Sequence, residues 1–313
     1  MQKTLLFILS LLFIAIIIVL LIPVNTQVTV NIKAPYFNSY QQLMVAQNWR
    51  KWNPAIRDYS GDSSLCKLNV DKQGFELAVP AESFIVKHIN NNTLFIREKF
   101  PDDTSGYSFT IMPGKDFLLT TIIVTFKTSI LKSLLPSLRE HEINNTGIND
   151  FKGFMEDVKQ YYGFNIKKVF LNEKKIIVKR KNIPAKDIYK TAAAMQADLH
   201  NYIITRHLIQ QGPVMVQYIL KQGDSLQMLI GIPVNTQVAA GNGFLYMYMP
   251  PTKALVANFN GKYGDKKAIY TAMENYIQDK YQRVKIAPYE MFLNKLPVGN
   301  NDVVDLQLNC PIF

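Results

Sequence analysis

Gly212-Pro213-Val214-Met215-Val216-Gln217-Tyr218 followed by Leu229-Ile230-Gly231-Ile232-Pro233-Val234, and Ala287-Pro288-Tyr289-Glu290-Met291-Phe292 followed by Gln307-Leu308-Asn309-Cys310-Pro311-Ile312, are two copies of one pattern. The closing Pro-Val and Pro-Ile pairs lie 78 residues apart. A repeat at fixed separation marks one supersecondary unit used twice. Each copy is preceded by a strand that runs into a helix. The first has a strand over 175–179 and a helix from Ala185-Lys186-Asp187 to about His207, and the second has strands over 244–249 and 254–259 with a helix over 265–281. Two such units side by side bury one sheet face under their helices and leave a cleft at their junction, where ligand sites tend to form.

Glu290 carries the chemistry of that cleft. A carboxylate on a strand facing an aromatic-walled cleft carries a desolvation cost unless a cation neutralises it. Tyr246 and Tyr248, two apart in an alternating strand, present two rings on one face, and Tyr218 and Tyr263 add to them. Aromatic faces attract cations by about 0.5–2 kcal/mol each. These residues predict a small lipophilic or cationic ligand. The alternative is that Glu290 pairs with a nearby Lys or a backbone amide, and that the tyrosines only pack.

With Gly261-x-Tyr263 before the second helix, Tyr289-Glu290-Met291-Phe292 after it and the terminal Cys310-Pro311-Ile312, this half resembles the GyrI-like small-molecule-binding domain. That domain is also the effector-binding part of bacterial AraC- and MerR-type multidrug-responsive regulators. The resemblance covers nearly all of 175–313 and implies that Glu290 is the ligand-recognising acid. Phe292 stands where the family often has Tyr, which removes a hydroxyl donor from the site. Some GyrI-like proteins hydrolyse electrophilic small molecules with Trp, Tyr and Glu, so a hydrolase is the alternative function. Here both Trp residues, Trp49 and Trp52, lie outside this half, and no set of nucleophile, base and orienting group is readable, so no catalytic residue is assigned.

Between 24 and 165 the order of elements differs. An alternating strand at Val28–Ile32 leads to Lys33-Ala34-Pro35, a helix with Phe37, Tyr40, Leu43 and Met44 on one side, and Trp49-Arg50-Lys51-Trp52-Asn53-Pro54. Pro54 disfavours helix at Asn53 and ends it. Strands follow over 74–79, 83–89, 93–100, 106–112 and 117–127, with turns at Asn90-Asn91-Asn92, Pro101-Asp102-Asp103 and Pro113-Gly114 between them, and 150–162 reads as one long closing helix. The element order and the Trp-x-x-Trp-x-Pro phrase resemble the START/polyketide-cyclase-like (SRPBCC) helix-grip superfamily, which implies a curved sheet wrapped around the last helix and enclosing an apolar cavity. Packing is the plainer role for both tryptophans.

Residues 5–22 are apolar except Ser10 and end at Pro23. At 1.5 Å per residue this run predicts an uncleaved, single-pass transmembrane anchor over 1–23 and a membrane localisation. A cleaved signal peptide is the alternative, although no small-x-small site follows. Lys3 and the amino terminus before the run favour extracytoplasmic domains. The expected fold class is therefore α+β: a transmembrane helix, a helix-grip domain over 24–165, and a tandem-repeat GyrI-like domain over 166–313 with an antiparallel sheet and two helices.

The chain has 313 residues and a net charge of +11, which raises the question of nucleic acid. The excess is local. Lys167, Lys168, Lys174, Lys175, Lys179, Arg180, Lys181, Lys186 and Lys190 face only Glu173 and Asp187 between 167 and 190. A solvated strand edge accounts for such a run, and with no helix-turn-helix candidate no nucleic-acid partner is expected. Cys66 and Cys310 stand alone, His200 and His207 lack a third ligand, and neither a Walker-type loop nor a GxGxxG is present, so no metal or cofactor is expected.

Overall fold

The computed structural model describes the chain apart from Met1, Ser60, residues 62–64, Ala81, residues 101–103, Asn145, residues 221–224, Ala240 and Asn242. The expected turn at Pro101-Asp102-Asp103 lies outside the described residues. The chain divides into two compact units, Met1–Asp157 and Val158–Phe313. Among the described residues these hold ten α-helices and two antiparallel sheets, so the chain is of mixed α and β structure.

The first unit opens with α1 (Gln2–Leu21), β1 (Pro23–Ile32), α2 (Tyr36–Met44), α3 (Trp49–Trp52) and α4 (Pro54–Arg57). Six strands follow: β2 (Lys67–Val70), β3 (Gly74–Ala78), β4 (Ser83–Asn90), β5 (Thr93–Lys99), β6 (Thr104–Pro113) and β7 (Thr120–Ser129). Helices α5 (Ile130–Leu134), α6 (Pro136–Asn144) and α7 (Ile148–Glu156) close it. The strand order is β1-β7-β6-β5-β4-β3-β2, a meander whose last strand takes the first one back, with Pro23 opposite Ser129 and Ile32 opposite Thr120. Alternation sends Leu94 and Ile96, Phe109 and Ile111, and Ile122 and Val124 to one buried face, where Phe151 and Phe154 of α7 are also buried.

The transmembrane anchor is corrected. Among the described residues no helix is long and apolar enough to cross a membrane. The expected fold class with its transmembrane helix, the single-pass localisation and the membrane as a partner fall with it.

Both tryptophans are core residues. Trp49 is fully buried, donates from Nε1 to the Leu43 carbonyl at 2.8 Å and meets Phe75 edge-on. Trp52 donates to the Gln42 carbonyl at 3.3 Å and packs on Phe151. The turn after them is a capped start: Pro54 occupies the first position of α4 and the Asn53 side chain accepts from the Ile56 N–H.

The long helix expected over 150–162 is not continuous. Asp157 is extended (φ −85, ψ 108), and Glu156 accepts a hydrogen bond from the Lys33 N–H at 2.9 Å. Phe151, Phe154 and Met155 belong to the first unit's core, whereas Val158 and Tyr162 pack on the core of the second. One apolar period therefore serves two cores.

The second unit comprises α8 (Val158–Tyr162), β8 (Lys167–Leu171), β9 (Lys174–Pro184), α9 (Ile188–Thr205), β10 (Val214–Leu220), β11 (Ser225–Val234), β12 (Leu245–Met249), β13 (Thr252–Lys262), α10 (Lys267–Asp279), β14 (Tyr289–Phe292) and β15 (Val303–Ile312). Its strand order, β12-β9-β11-β10-β14-β15-β13-β8, reads the same from both ends once the repeat is applied. β9, β10 and β11 correspond to β13, β14 and β15, and each half places its leading strand beside the other's β9 or β13. The halves meet at β10 and β14, where Val214 faces Phe292 and Val216 faces Glu290. One sheet face packs with α9 and α10 into the main core, and Met215, Tyr289 and Met291 point to the opposite face.

Five of the nine basic residues of the run lie on strand edges. Lys167 and Lys168 lie on β8, an outer strand. On β9 the pairing with β12 runs from Lys174 to Val178, so Lys179, Arg180 and Lys181 lie beyond it, on an open stretch of edge. Charge there discourages pairing with another sheet.

Replacing Trp49 by Ala removes a filled interior volume and leaves the Leu43 carbonyl without its donor. The first unit is expected to lose about 3–5 kcal/mol in urea unfolding followed by Trp52 fluorescence; a loss below about 1 kcal/mol would show that Trp49 does not anchor this core.

Candidate functional site

The seam between β10 and β14 carries the second unit's polar centre. Glu290 has no exposed surface, because β14 is covered on both faces. A buried carboxylate needs donors, and here they are complete. Oε1 accepts from Lys266 Nζ at 2.6 Å and from the Tyr270 hydroxyl at 2.8 Å, while Oε2 accepts from the Tyr263 hydroxyl at 2.9 Å. Tyr263 commits its proton to Glu290 and accepts from Lys266, so the Tyr218 hydroxyl, 3.0 Å away, is left to donate to it.

Each donor arrives for a local reason. Tyr218 follows Val216 by two on β10 and so shares the face of Glu290. Tyr263 and Lys266 lie on a short 3-10 turn (Tyr263–Lys266) and Tyr270 on the first part of α10, so spacings of three and four bring them to one side. The rings enclose the ammonium: Lys266 Nζ lies 3.9 Å from the Tyr263 centroid, 4.6 Å from that of Tyr218 and 5.9 Å from that of Tyr270. Tyr189 of α9 and Phe292 of β14 extend the wall, with ring centroids 6.0 Å and 5.9 Å from Tyr263.

The electrostatics follow from burial. Removal from water, and then the Glu290 charge, push the Tyr218, Tyr263 and Tyr270 hydroxyls well above the ordinary phenol value. They act as donors. Burial pulls Lys266 below its ordinary value, against the opposing pull of Glu290.

Of the residues singled out from sequence, the structure gathers Glu290, Tyr218, Tyr263 and Phe292. It does not bring Tyr246 and Tyr248 to them. β12 lies four strands from β14, roughly 19 Å at the usual strand spacing. Tyr246 packs against the core, and Tyr248 is 51% exposed and donates to Glu173 at 2.7 Å. Lys266, Tyr270 and Tyr189 were missed. The signal for the first two was present in Tyr263-x-x-Lys266-x-x-x-Tyr270, a one-sided helical spacing. Glu290 does pair with a lysine, which is the alternative kept open from sequence.

In the first unit, a hollow of about 910 Å³ lies against Phe95, Arg97, Ser108, Thr125 and Lys127. These alternate with the buried Ile96, Phe109 and Val124 and so lie on the outer face of the sheet. Inside, Tyr107 donates to Glu98 at 2.5 Å, and burial raises the Glu98 carboxyl. Cys66 and Cys310 are buried free thiols. Among the described residues no group of three or more His, Cys, Asp or Glu is placed to hold a metal ion.

No family model and no curated protein matches the chain. Solved structures similar to it include the EcmrR C-terminal domain (10% identity, covering 48% of this chain and 98% of that one, TM-score 0.41). A hydrolase from Listeria innocua is similar at 8% identity, covering 48% of this chain and 92% of that one (TM-score 0.38). SAV2435 bound to tetraphenylphosphonium is similar at 13% identity, covering 48% of this chain and 94% of that one (TM-score 0.33). Each likeness extends over about half of the chain.

Two outcomes follow from this geometry. Tyr270→Phe removes a donor to a fully buried carboxylate and is expected to cost about 1.5–3 kcal/mol in urea unfolding read by amide exchange at β14. Tyr289→Phe, whose hydroxyl among the described residues reaches Met249 Sδ at 3.8 Å, is expected to cost less than about 1 kcal/mol; equal costs would contradict the assigned network.

The second outcome concerns alkaline pH. Folded-state tyrosine values raised above an unfolded value of about 10 give stability that is present below pH 10 and lost as pH rises beyond it. The lowered Lys266 acts in the opposite sense but is one group against three. Unfolding free energy is therefore expected to fall above pH 10, and tyrosinate absorbance to lag behind that of the urea-unfolded chain. A flat stability profile from pH 9 to 11.5 would contradict this.

Proposed function

We propose that the second unit binds a small lipophilic cation at the seam of its two halves, with Glu290, Tyr218, Tyr263 and Phe292 as ligand-contacting groups, joined by Tyr270. The observation that carries this reading is the place of the Lys266 ammonium: 2.6 Å from a buried carboxylate and within 6 Å of three tyrosine ring centres. A site that stabilises one ammonium so completely has the chemistry to stabilise another. The GyrI-like resemblance of this half, with functional limits at 166–313, belongs to the same proposal. So does the helix-grip resemblance of 24–165, which the β1 to β7 order and the buried α7 support.

Hydrolysis gains no specific observation. Glu290 already carries three donors, and the raised tyrosines hold their protons, so neither is poised as a base.

Tetraphenylphosphonium, the compound bound by SAV2435, is a suitable probe. Glu290→Gln keeps the shape and removes the charge. It is expected to weaken tetraphenylphosphonium binding to the full chain about tenfold in isothermal titration, or about 1.4 kcal/mol; unchanged affinity would remove Glu290 from the site.

A further inference from the structure

The cage is full as it stands. Its cation position is taken by a residue of the chain itself, and a second cation would meet like charge at hydrogen-bonding distance. We propose that Lys266 is the specificity-determining residue of this site: a tethered competitor that holds the cation position and must swing out before a ligand enters. This rests on the reading of the site as a cation cage.

Three features make Lys266 the group that moves. Its side chain is 23% exposed while Glu290 is 0% exposed, so the lysine has a path to water and the carboxylate has none. It sits at the junction of the 3-10 turn and α10, and its side chain makes no capping hydrogen bond, so its departure leaves the helix intact. Its ammonium regains hydration on leaving, whereas Glu290 is fixed within a strand paired on both sides.

Selectivity follows. A ligand competes with a group held at high effective concentration by its own tether, and apparent affinity falls with the fraction of molecules in which the cage is open. Small hydrated ammonium ions offer the same chemistry as Lys266 and cannot displace it. Large delocalised cations bury additional apolar surface against the rings of Tyr189 and Phe292 that surround Tyr263. The site is thereby restricted to lipophilic cations.

The test has two arms on the full chain. In isothermal titration, Lys266→Met is expected to bind tetraphenylphosphonium at least tenfold tighter than the unsubstituted chain. Measurable binding by the variant alone gives the same answer. Unchanged or weaker binding by a folded variant overturns the proposal, and if Glu290→Gln still weakens binding, the cage itself stands. If neither substitution changes affinity, both readings fall.

The second arm needs no variant, so it decides the matter if Lys266→Met does not fold. Acetic anhydride labelling read by peptide mass spectrometry is expected to modify Lys266 at least threefold faster with saturating tetraphenylphosphonium, with exposed Lys267 unchanged as the internal reference. Labelling of Lys266 that is unaltered or slowed overturns the proposal.

Discussion

The second unit is organised around one constraint: a carboxylate with no access to water must be given donors by its surroundings. Glu290 lies on β14, where the two halves of the repeat meet; its donors Tyr263, Lys266 and Tyr270 come from its own half, and Tyr218 of the other half bonds to the Tyr263 hydroxyl. An unpaired charge there would cost several kcal/mol, so the seam, the 3-10 turn and the start of α10 must be held in register. Chain continuity achieves part of this, because α10 starts at Lys267, directly after the turn that carries Tyr263 and Lys266.

Much of this architecture is legible in the sequence. The repeated Pro-flanked strands located β10, β11, β14 and β15. Strands β3 to β7 of the first unit lie within a few residues of their expected limits, since turn residues and alternation punctuate them clearly, whereas β2 was not expected and β1 begins five residues before the expected Val28. The closing helix was misread because apolar spacing reports burial and not which core does the burying; Phe151 and Tyr162 keep one period across a unit boundary. The apolar run at 5–22 invited a transmembrane assignment that the described residues do not support.

The site was legible in part. Glu290, Tyr218 and Tyr263 stand out by chemistry, but Tyr246 and Tyr248 were grouped with them by ring type and by alternation within their own strand, and only the strand order separates β12 from β14. Lys266 escaped notice because a lysine among lysines carries no compositional signal. Its meaning depends on the carboxylate twenty-four residues later. The basic stretch at 167–190 drew attention by its density, yet five of its nine basic residues belong to strand edges, while the lysine that matters to the candidate site lies elsewhere.

A buried ion pair is weak evidence for stability alone, since its desolvation offsets much of its attraction. Enclosed by three tyrosines and open to water through one stem, this pair is better explained as a cation site occupied from within. The most direct measurement is the NMR signal of the Lys266 ε-methylene group in 13C-lysine-labelled protein. Ring currents from the tyrosine cage are expected to move it well upfield of the other lysines, and tetraphenylphosphonium is expected to return it to their range. A Lys266 signal within the common lysine envelope, or one that saturating tetraphenylphosphonium leaves in place, would contradict the account.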